Sequence, residues 1–487
     1  MERRHANDHD DRRIPGFTGG TLFGVEVVMS TPTRLDRALR IVADVRPGES
    51  PTAILLALNV FIILTAYYIL KPVREALILG QGSPELKSYM SVGQVVLLMI
   101  VVPLYAKLVN ALPRLRLIRV VTWFFVACLV GFYLLARIGV PLGIIYFLWI
   151  GIFNLMIVAQ FWGFANDLYT KDEGERLFPI VGFGASLGAV LGSLIAGWVI
   201  APLGVYQMML VGAVGLILQL QITGYIDRRE RGRTAARAAK EPEAKQEEAP
   251  PSGHNAFALV FGNRYLLFIG IMLMLFYCVD ATGEYILGSI VSERSAARVA
   301  SGNAGGLGVE QLIGQFYSTY FGLINTASLL LQFFVVSRIV KYVGVGRAVA
   351  IQPALSVIAY LVIGFVPLLG FVLASKVSEK ATDYSLNNTV RNMLFLPCTR
   401  EEKYSAKQVI DSLFVRLGDV SSAALVFIGT TVAGLSATGF ARVNILIALG
   451  GLATAFFVGR GYQGLTTSGE RQKRVQPHVQ PAKATAG

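Results

Sequence analysis

Apolar runs long enough to cross a bilayer recur along almost the whole chain. They fall at roughly 52–70, 89–108, 119–136, 141–165, 177–200 and 203–226, then at 264–290, 312–336, 347–366, 367–390, 408–432 and 441–459. At 1.5 Å per residue, about twenty residues of helix cover the ~30 Å hydrocarbon core. Between the sixth and seventh runs lies a charged stretch rich in Ala, Pro and Glu, RRERGRTAARAAKEPEAKQEEAPPSG, which cannot bury a core of its own. The pattern predicts an all-α polytopic membrane protein with about 12 transmembrane helices in two six-helix bundles. The expected divisions are a cytoplasmic tail at 1–51, a first bundle at 52–226, a cytoplasmic linker at 227–256, a second bundle at 257–460 and a disordered cytoplasmic tail at 461–487.

Six spans, a linker and six spans is the layout of the major facilitator architecture, in which two parallel repeats are related about the membrane normal. A faint internal echo agrees. Ala165-Asn166-Asp167 followed by Leu177-Phe178-Pro179 resembles Ala381-Thr382-Asp383 followed by Leu394-Phe395-Leu396-Pro397. Residues 1–32 contain no apolar core, so no cleaved signal peptide is expected. From Thr33 to Val45 the residues Leu35, Leu39, Val42 and Val45 share one face beside Arg34, Arg37 and Arg40. This predicts a short helix on the membrane surface, with an ordinary solvated helix as the alternative.

Composition changes this picture little. Of 487 residues, 54% are hydrophobic and 15% charged, and the net charge is +13. In a soluble protein that excess would suggest nucleic acid; here it sits mostly in tails and in loops on one side, so no nucleic-acid partner is expected. Lys107, Arg114, Arg116 and Arg119 share one loop and Arg338, Lys341 and Arg347 its counterpart, while the opposite loops carry almost no charge. Both termini are therefore expected in the cytoplasm of a bacterial inner membrane. The four histidines lie in tails or linker, and no cysteine spacing suggests a disulfide or a metal. There is no G-x-x-x-x-G-K-[ST] loop, so no Walker-site hydrolysis, catalytic residue, cofactor or metal is expected. The glycines of GFGASLGAVLGSLIAG recur at 184, 188 and 192, the spacing of close helix packing rather than of a phosphate loop.

Candidate chemistry lies in the charges inside the spans, since an ionisable group at membrane depth usually faces a cavity or a partner. If the tenth run enters the bilayer at Pro367, Lys376 is ~13 Å deeper. Glu379, Lys380 and Asp383 follow at helical spacing, predicting one wall of a polar pathway. The seventh run carries Asp280 and Glu284 at i and i+4, the first ends in Lys71, Arg74 and Glu75, and the fourth offers Asn154 and Gln160. By analogy with the architecture, the first, fourth, seventh and tenth helices line the cavity. The eleventh adds Asp411, Arg416 and Asp419. Lys71, Arg74, Asn154, Gln160, Lys376, Lys380, Lys407 and Arg416 are the candidate substrate-binding residues. Asp280, Glu284, Glu379 and Asp383 are the candidate coupling or counter-ion residues. Each cluster has a structural alternative. Lys71 to Glu75 can snorkel at the interface beside a bend at Pro72, Asp280 and Glu284 can bridge to Lys376 or Lys380, and Arg416 with Asp419 can tie two helices.

Three blocks, Phe161 to Asn166, Leu70 to Leu79 and Tyr384 to Gly418, resemble the ATP/ADP translocase family of plastids and intracellular bacteria, nucleotide transporters with related members in free-living bacteria. One is Phe161-Trp162-Gly163-Phe164-Ala165-Asn166 and another the first-helix ending Leu70 to Leu79. The third runs from Tyr384 to Gly418, where Tyr384, Ser385, Leu386, Arg391, Met393, Pro397, Lys403, Lys407, Ile410, Asp411, Arg416 and Gly418 match in residue or charge. The resemblance puts Arg74 where the family has a functionally important Lys, and Lys407 on the family's Lys at the start of the eleventh helix. Two positions depart from the pattern: Ile150 stands near the family's acidic residue of the fourth helix, and Asp383 replaces a basic residue before Tyr384. The resemblance implies a carrier of phosphorylated, nucleotide-like anions working by alternating access. The charges alone imply only an anionic small molecule. A proton-coupled carrier of another organic anion, a lipid flippase or a membrane scaffold stay open. The oligomeric state also stays open, a monomer being compatible.

The topology has a direct test. Single cysteines introduced in the 227–256 linker and at Gly487 should resist a membrane-impermeant maleimide added to intact cells. Labelling of either from outside would refute a cytoplasmic location for both.

Overall fold

The computed structural model describes residues 44–46, 48–240, 256–399 and 402–475. Residues 33–43 of the predicted surface helix, the tail before them, residues 241–255 of the linker and the last twelve residues lie outside the described residues. Twelve membrane-scale helical segments follow one another among those described. The first six are α1 (Ser50–Gly80), α2 (Pro84–Ala111), α3 (Arg114–Arg137), α4 (Gly143–Leu168), α5 (Lys171–Leu203) and α6 (Gln207–Lys240). The second six are α7 (Arg264–Ala300), α8 (Val309–Tyr342), α9 (Val345–Phe365), α10 (369–393), α11 (Lys407–Thr431) and α12 (Ala437–Val475). Eleven of them are long and apolar enough to cross a membrane. The exception is α10, whose Lys376, Glu379, Lys380 and Asp383 lower its hydropathy although it packs inside the bundle.

Several helices outrun their apolar cores. Pro72 lies inside α1 without ending it, and the helix continues to Gly80. The charged starts of the linker and of the carboxyl tail are helical too, to Lys240 and Val475, because Arg, Glu, Ala and Gln favour helix and no proline intervenes. Local caps fix the entries. Ser83 accepts a hydrogen bond from the Leu86 amide, with Pro84 opening α2. Thr170 and Glu173 form a capping box at the start of α5. In the second half, four π-helical turns widen the helices, at Gln332–Val336, Asp383–Asn387, Glu402–Ala406 and Ile410–Phe414.

Packing in a membrane depends on close approach rather than on expelling water. Gly184, Gly188 and Gly192 lie against the carbonyls of Ala57, Phe61 and Thr65 on α1, where any Cβ would collide. The glycine stripe is a packing face, as its spacing implies. Polar keys reinforce the bundle. Asn59 donates to the Gln219 carbonyl at 3.0 Å and to Thr223 at 2.8 Å, joining α1 to α6, and Thr282 meets Ser422 at 2.9 Å between α7 and α11.

One apolar cluster fills the first six helices, a second the far end of the last six, and a third joins both halves. The joining cluster includes Ile78, Leu79 and Phe147 beside Ile286, Tyr317 and Phe321, at the end where α1 turns into α2. Polar contacts between the halves gather from mid-membrane to this same end. Gln81 donates to Glu310 at 3.0 Å, Tyr285 to Glu85 at 2.9 Å, and Asn325 to the Ala189 carbonyl and Ser193, each at 3.2 Å.

The glycine contact gives a stability test. Gly188→Leu should cost about 1–3 kcal/mol or more, the usual penalty of overpacking. Gly182→Leu, at a position with open space around it, should be nearly neutral. Thermal unfolding of the two purified variants compares them directly, and equal melting temperatures would contradict the packing.

Candidate functional site

A cavity of about 440 Å³ lies between the two halves. Its walls come from α1 (Tyr67, Lys71, Arg74), α2 (Lys87, Gln94), α4 (Asn154), α7 (Asp280, Glu284), α8 (Tyr320, Phe321), α10 (Lys380, Tyr384) and α11 (Arg416, Asp419). The predicted first, fourth, seventh and tenth helices do line it, and the second, eighth and eleventh join them. Lys87 escaped the sequence reading because it sits in the first turn of α2, ahead of the apolar run. Its signal was the cap Ser83-Pro84, which extends the helix back over it.

The charges form two linked groups. On the α1–α2 side Arg74 donates to Glu75 at 2.9 Å, and Lys87 pairs with the other Glu75 oxygen at 2.7 Å. Lys87 also reaches Glu284 on α7 at 3.4 Å, crossing between the halves, and Glu284 accepts from the Tyr320 hydroxyl at 3.2 Å. On the α10 side Lys380 pairs with Asp280 at 2.7 Å. Arg416 and Asp419, 3.2 Å apart, are partners on their own helix rather than a tie between two. Both line the cavity.

Lys71 differs from all of these. It is buried in the protein rather than extended to the surface, and it lines the cavity. Among the described residues it forms no ion pair. Its neighbours are aromatic faces: Phe321 at 4.1 Å, Tyr68 at 5.1 Å and Tyr67 at 6.0 Å from ring centroid to Nζ. These attract a cation without neutralising it. Arg74 lies over Phe147 at 5.1 Å.

Five predicted site residues, Lys376, Glu379, Gln160, Lys407 and Asp383, are not among the lining residues. Lys376 is fully buried behind the cavity wall, paired with Glu379 at 2.6 Å and donating to the Tyr360 hydroxyl at 3.2 Å. Asp280 is 4.0 Å away. The cause is Gly283, whose missing side chain leaves room for the Tyr360 hydroxyl and the Lys376 ammonium against α7. Glu379 also accepts from Ser356 at 2.6 Å, so this pair is a satisfied structural network between α9 and α10. Gln160 points into a separate small pocket with Asn59, Gln219 and Thr223. Lys407 donates to Asn392 at 2.8 Å at the opposite end of the bundle. Asp383 accepts from Asn387 at 2.8 Å across the π-helical turn and is not among the lining residues, whereas Tyr384 is. Among the described residues there is no cluster of His, Cys, Asp and Glu suited to a metal.

Solved structures with this fold are solute transporters. A bacterial homologue of the iron transporter ferroportin in an inward-facing state has a TM-score of 0.58 at 13% identity, covering 85% of this chain and 98% of that one. A POT family transporter in complex with a thioalcohol-conjugated peptide gives 0.55 at 15% identity, over 85% and 96%. The nucleoside transporter NupG gives 0.54 at 13% identity, over 85% and 99%. This chain shares their two-bundle helical fold, with a charged cavity between its halves. Residues 314–453 match the family model described as TLC ATP/ADP transporter. ADP,ATP carrier protein 2 of Chlamydia trachomatis serovar D is 21% identical over 360 residues, 64% of this chain, and the chain spans 64% of that relative's length. Over part of its length the chain is thus similar in sequence to ATP/ADP carriers.

The buried pair gives a test separating structure from binding. Lys376→Met should lower the folded yield sharply, since stranding Glu379 costs about 3–5 kcal/mol. Adding Glu379→Leu should recover it, with ligand affinity unchanged in the double variant. A single variant that folds normally but loses affinity would return Lys376 to the binding site.

Proposed function

We propose that the protein is a secondary transporter of phosphorylated, nucleotide-like anions, working by exchange and alternating access in a bacterial inner membrane with both termini in the cytoplasm. The observation that carries this reading is Lys71, a cation on the cavity wall with no carboxylate partner among the described residues. Burying an uncompensated charge in a membrane protein is costly, and an anionic substrate would supply the missing partner. Arg74 and Lys87 stand beside it, and both share Glu75. A polyanion entering here can draw the guanidinium and the ammonium from their shared carboxylate, Arg offering a planar fork and Lys a point charge to phosphate oxygens. Tyr67, Phe147, Tyr320, Phe321 and Tyr384 supply aromatic faces around the same space, suited to a flat heterocycle. The sequence similarity favours ATP and ADP as the anions.

Alternating access follows from how the halves meet. Their mutual contacts at the α1–α2 end, including Lys87 with Glu284 and Tyr285 with Glu85, would have to part for the cavity to open there. Asp280 and Glu284, each held by a cation from the wall, are the carboxylates set free when those cations turn to substrate. They are the candidate coupling or counter-ion groups.

Reconstituted vesicles loaded with unlabelled nucleotide should take up labelled ATP or ADP. Lys71→Gln should raise the half-saturation concentration about tenfold or more, the loss of one charge-assisted hydrogen bond. Gln160→Leu should leave it unchanged. If no nucleotide enters and another organic anion accumulates under a pH gradient, the substrate is different and the coupling is to protons.

A further inference from the structure

A second, larger space of about 580 Å³ lies outside the central cavity, along the seam where α5 of the first half meets α8 of the second. Small residues hollow it out. Gly197 faces Ser318 and Gly322 faces Ser193, so no bulky side chain fills the seam. Leu194, Trp198 and Leu323 form its rim, and Trp198 is 72% exposed. In a membrane-spanning helix such exposed apolar rims border hydrocarbon. Along α8 the space runs from Leu312 to Thr326, ~21 Å at helical rise. One leaflet of a ~30 Å core is ~15 Å deep, so the space has the length of one lipid tail.

Arg298, in the last turn of α7, stands among the lining residues at the end of the groove near Leu312. Its side chain is exposed, makes one long contact of 3.5 Å to the Asn303 carbonyl, and forms no ion pair among the described residues. Gln315 and Thr319 lie within a turn or two of it on the α8 wall. A cation over polar groups at the mouth, followed by a largely apolar trough in which Ser193 and Ser318 donate to carbonyls of their own helices, has the polarity sequence of an anionic phospholipid. The headgroup phosphate meets Arg298 and a tail runs down past Gly197, Gly322 and Leu323.

We propose that the α5–α8 seam is a binding site for one anionic phospholipid from the leaflet at the α1–α2 end. A tail lying between α5 and α8 touches both halves at once. The site is separate from the central cavity and does not depend on which anion the protein carries. Lipid bound there holds the halves in the arrangement described above, because parting α5 from α8 would remove one wall of its groove.

Native mass spectrometry of the purified protein tests this, with phosphatidylglycerol and phosphatidylcholine of matched tails added separately, and inorganic phosphate as a third addition. Phosphatidylglycerol should be retained about fivefold more strongly than phosphatidylcholine, the contribution of one cation near an anionic headgroup. Arg298→Gln should abolish that preference while still retaining either lipid. Thr319→Trp, which projects bulk into the trough from an exposed position, should reduce retention of both while the protein stays folded in thermal unfolding. Heat protection by phosphatidylglycerol should fall in Arg298→Gln, whereas any protection by phosphate, which the central cavity can also bind, should be the same in that variant and the unaltered protein. Equal retention of the two lipids by the unaltered protein, or retention undiminished by Thr319→Trp, would overturn the proposal. Phosphate protection that disappears in Arg298→Gln would mean an anion site at Arg298 without a tail groove, and would overturn it as well.

Discussion

A charged group inside a hydrocarbon slab is tolerated only beside a partner or beside water, and that constraint orders the interior of this protein. Every cation on the cavity wall except Lys71 has a carboxylate within reach, drawn from its own helix, from a neighbour or from the opposite half. Lys376 and Glu379 obey the same rule more completely. They are sealed behind the wall with Tyr360 and Ser356, where the network is closed and nothing is left for a ligand. The contrast between the sealed pair and open Lys71 is what separates scaffold from site.

Pairing also links the site to the junction of the halves. Lys87 is held by Glu75 in one half and by Glu284 in the other, so the same ammonium stabilises the cavity wall and the seam above it. Around it the joining core is apolar and aromatic, with Tyr317 beneath the Lys87 ammonium at 5.3 Å. A ligand that competes for Lys87 therefore acts on the contact between halves without any longer path. Elsewhere the halves meet through small residues, and it is there that the α5–α8 groove opens.

The two halves are built differently in detail. The first packs around one continuous apolar cluster, with α1 and α5 drawn together along the glycine stripe. The second divides its apolar residues between a cluster at the junction and one at the far end, and its helices widen into π-helical turns near Tyr384 and just before Arg416. The first of these turns places Tyr384 on the cavity wall, where a regular α-helix would carry that side chain onto another face.

By itself the sequence determined the membrane class, the helical segments and the division into six and six, because hydrocarbon demands long apolar helices wherever the chain crosses it. It also pointed to α1, α7 and α10 as cavity helices, since charge at membrane depth is rare enough to be informative, while α4 followed from analogy with the architecture alone. The packing role of Gly184, Gly188 and Gly192 was legible for a similar reason: their spacing puts them on one helix face. What the tertiary structure decided was which charge meets which. Lys376 and Lys380 are one turn apart and indistinguishable as sequence, yet one is locked to Glu379 behind the wall and the other pairs with Asp280 on the cavity wall. The difference comes from Gly283 and Tyr360, residues of two other helices that close over Lys376. Gln160 and Lys407 were misplaced for the same reason. Helical spacing fixes the face a side chain shares with its neighbours, but not what the rest of the bundle lays against that face. Lys87, outside any apolar run, became part of the site only when α2 folded back beside α7.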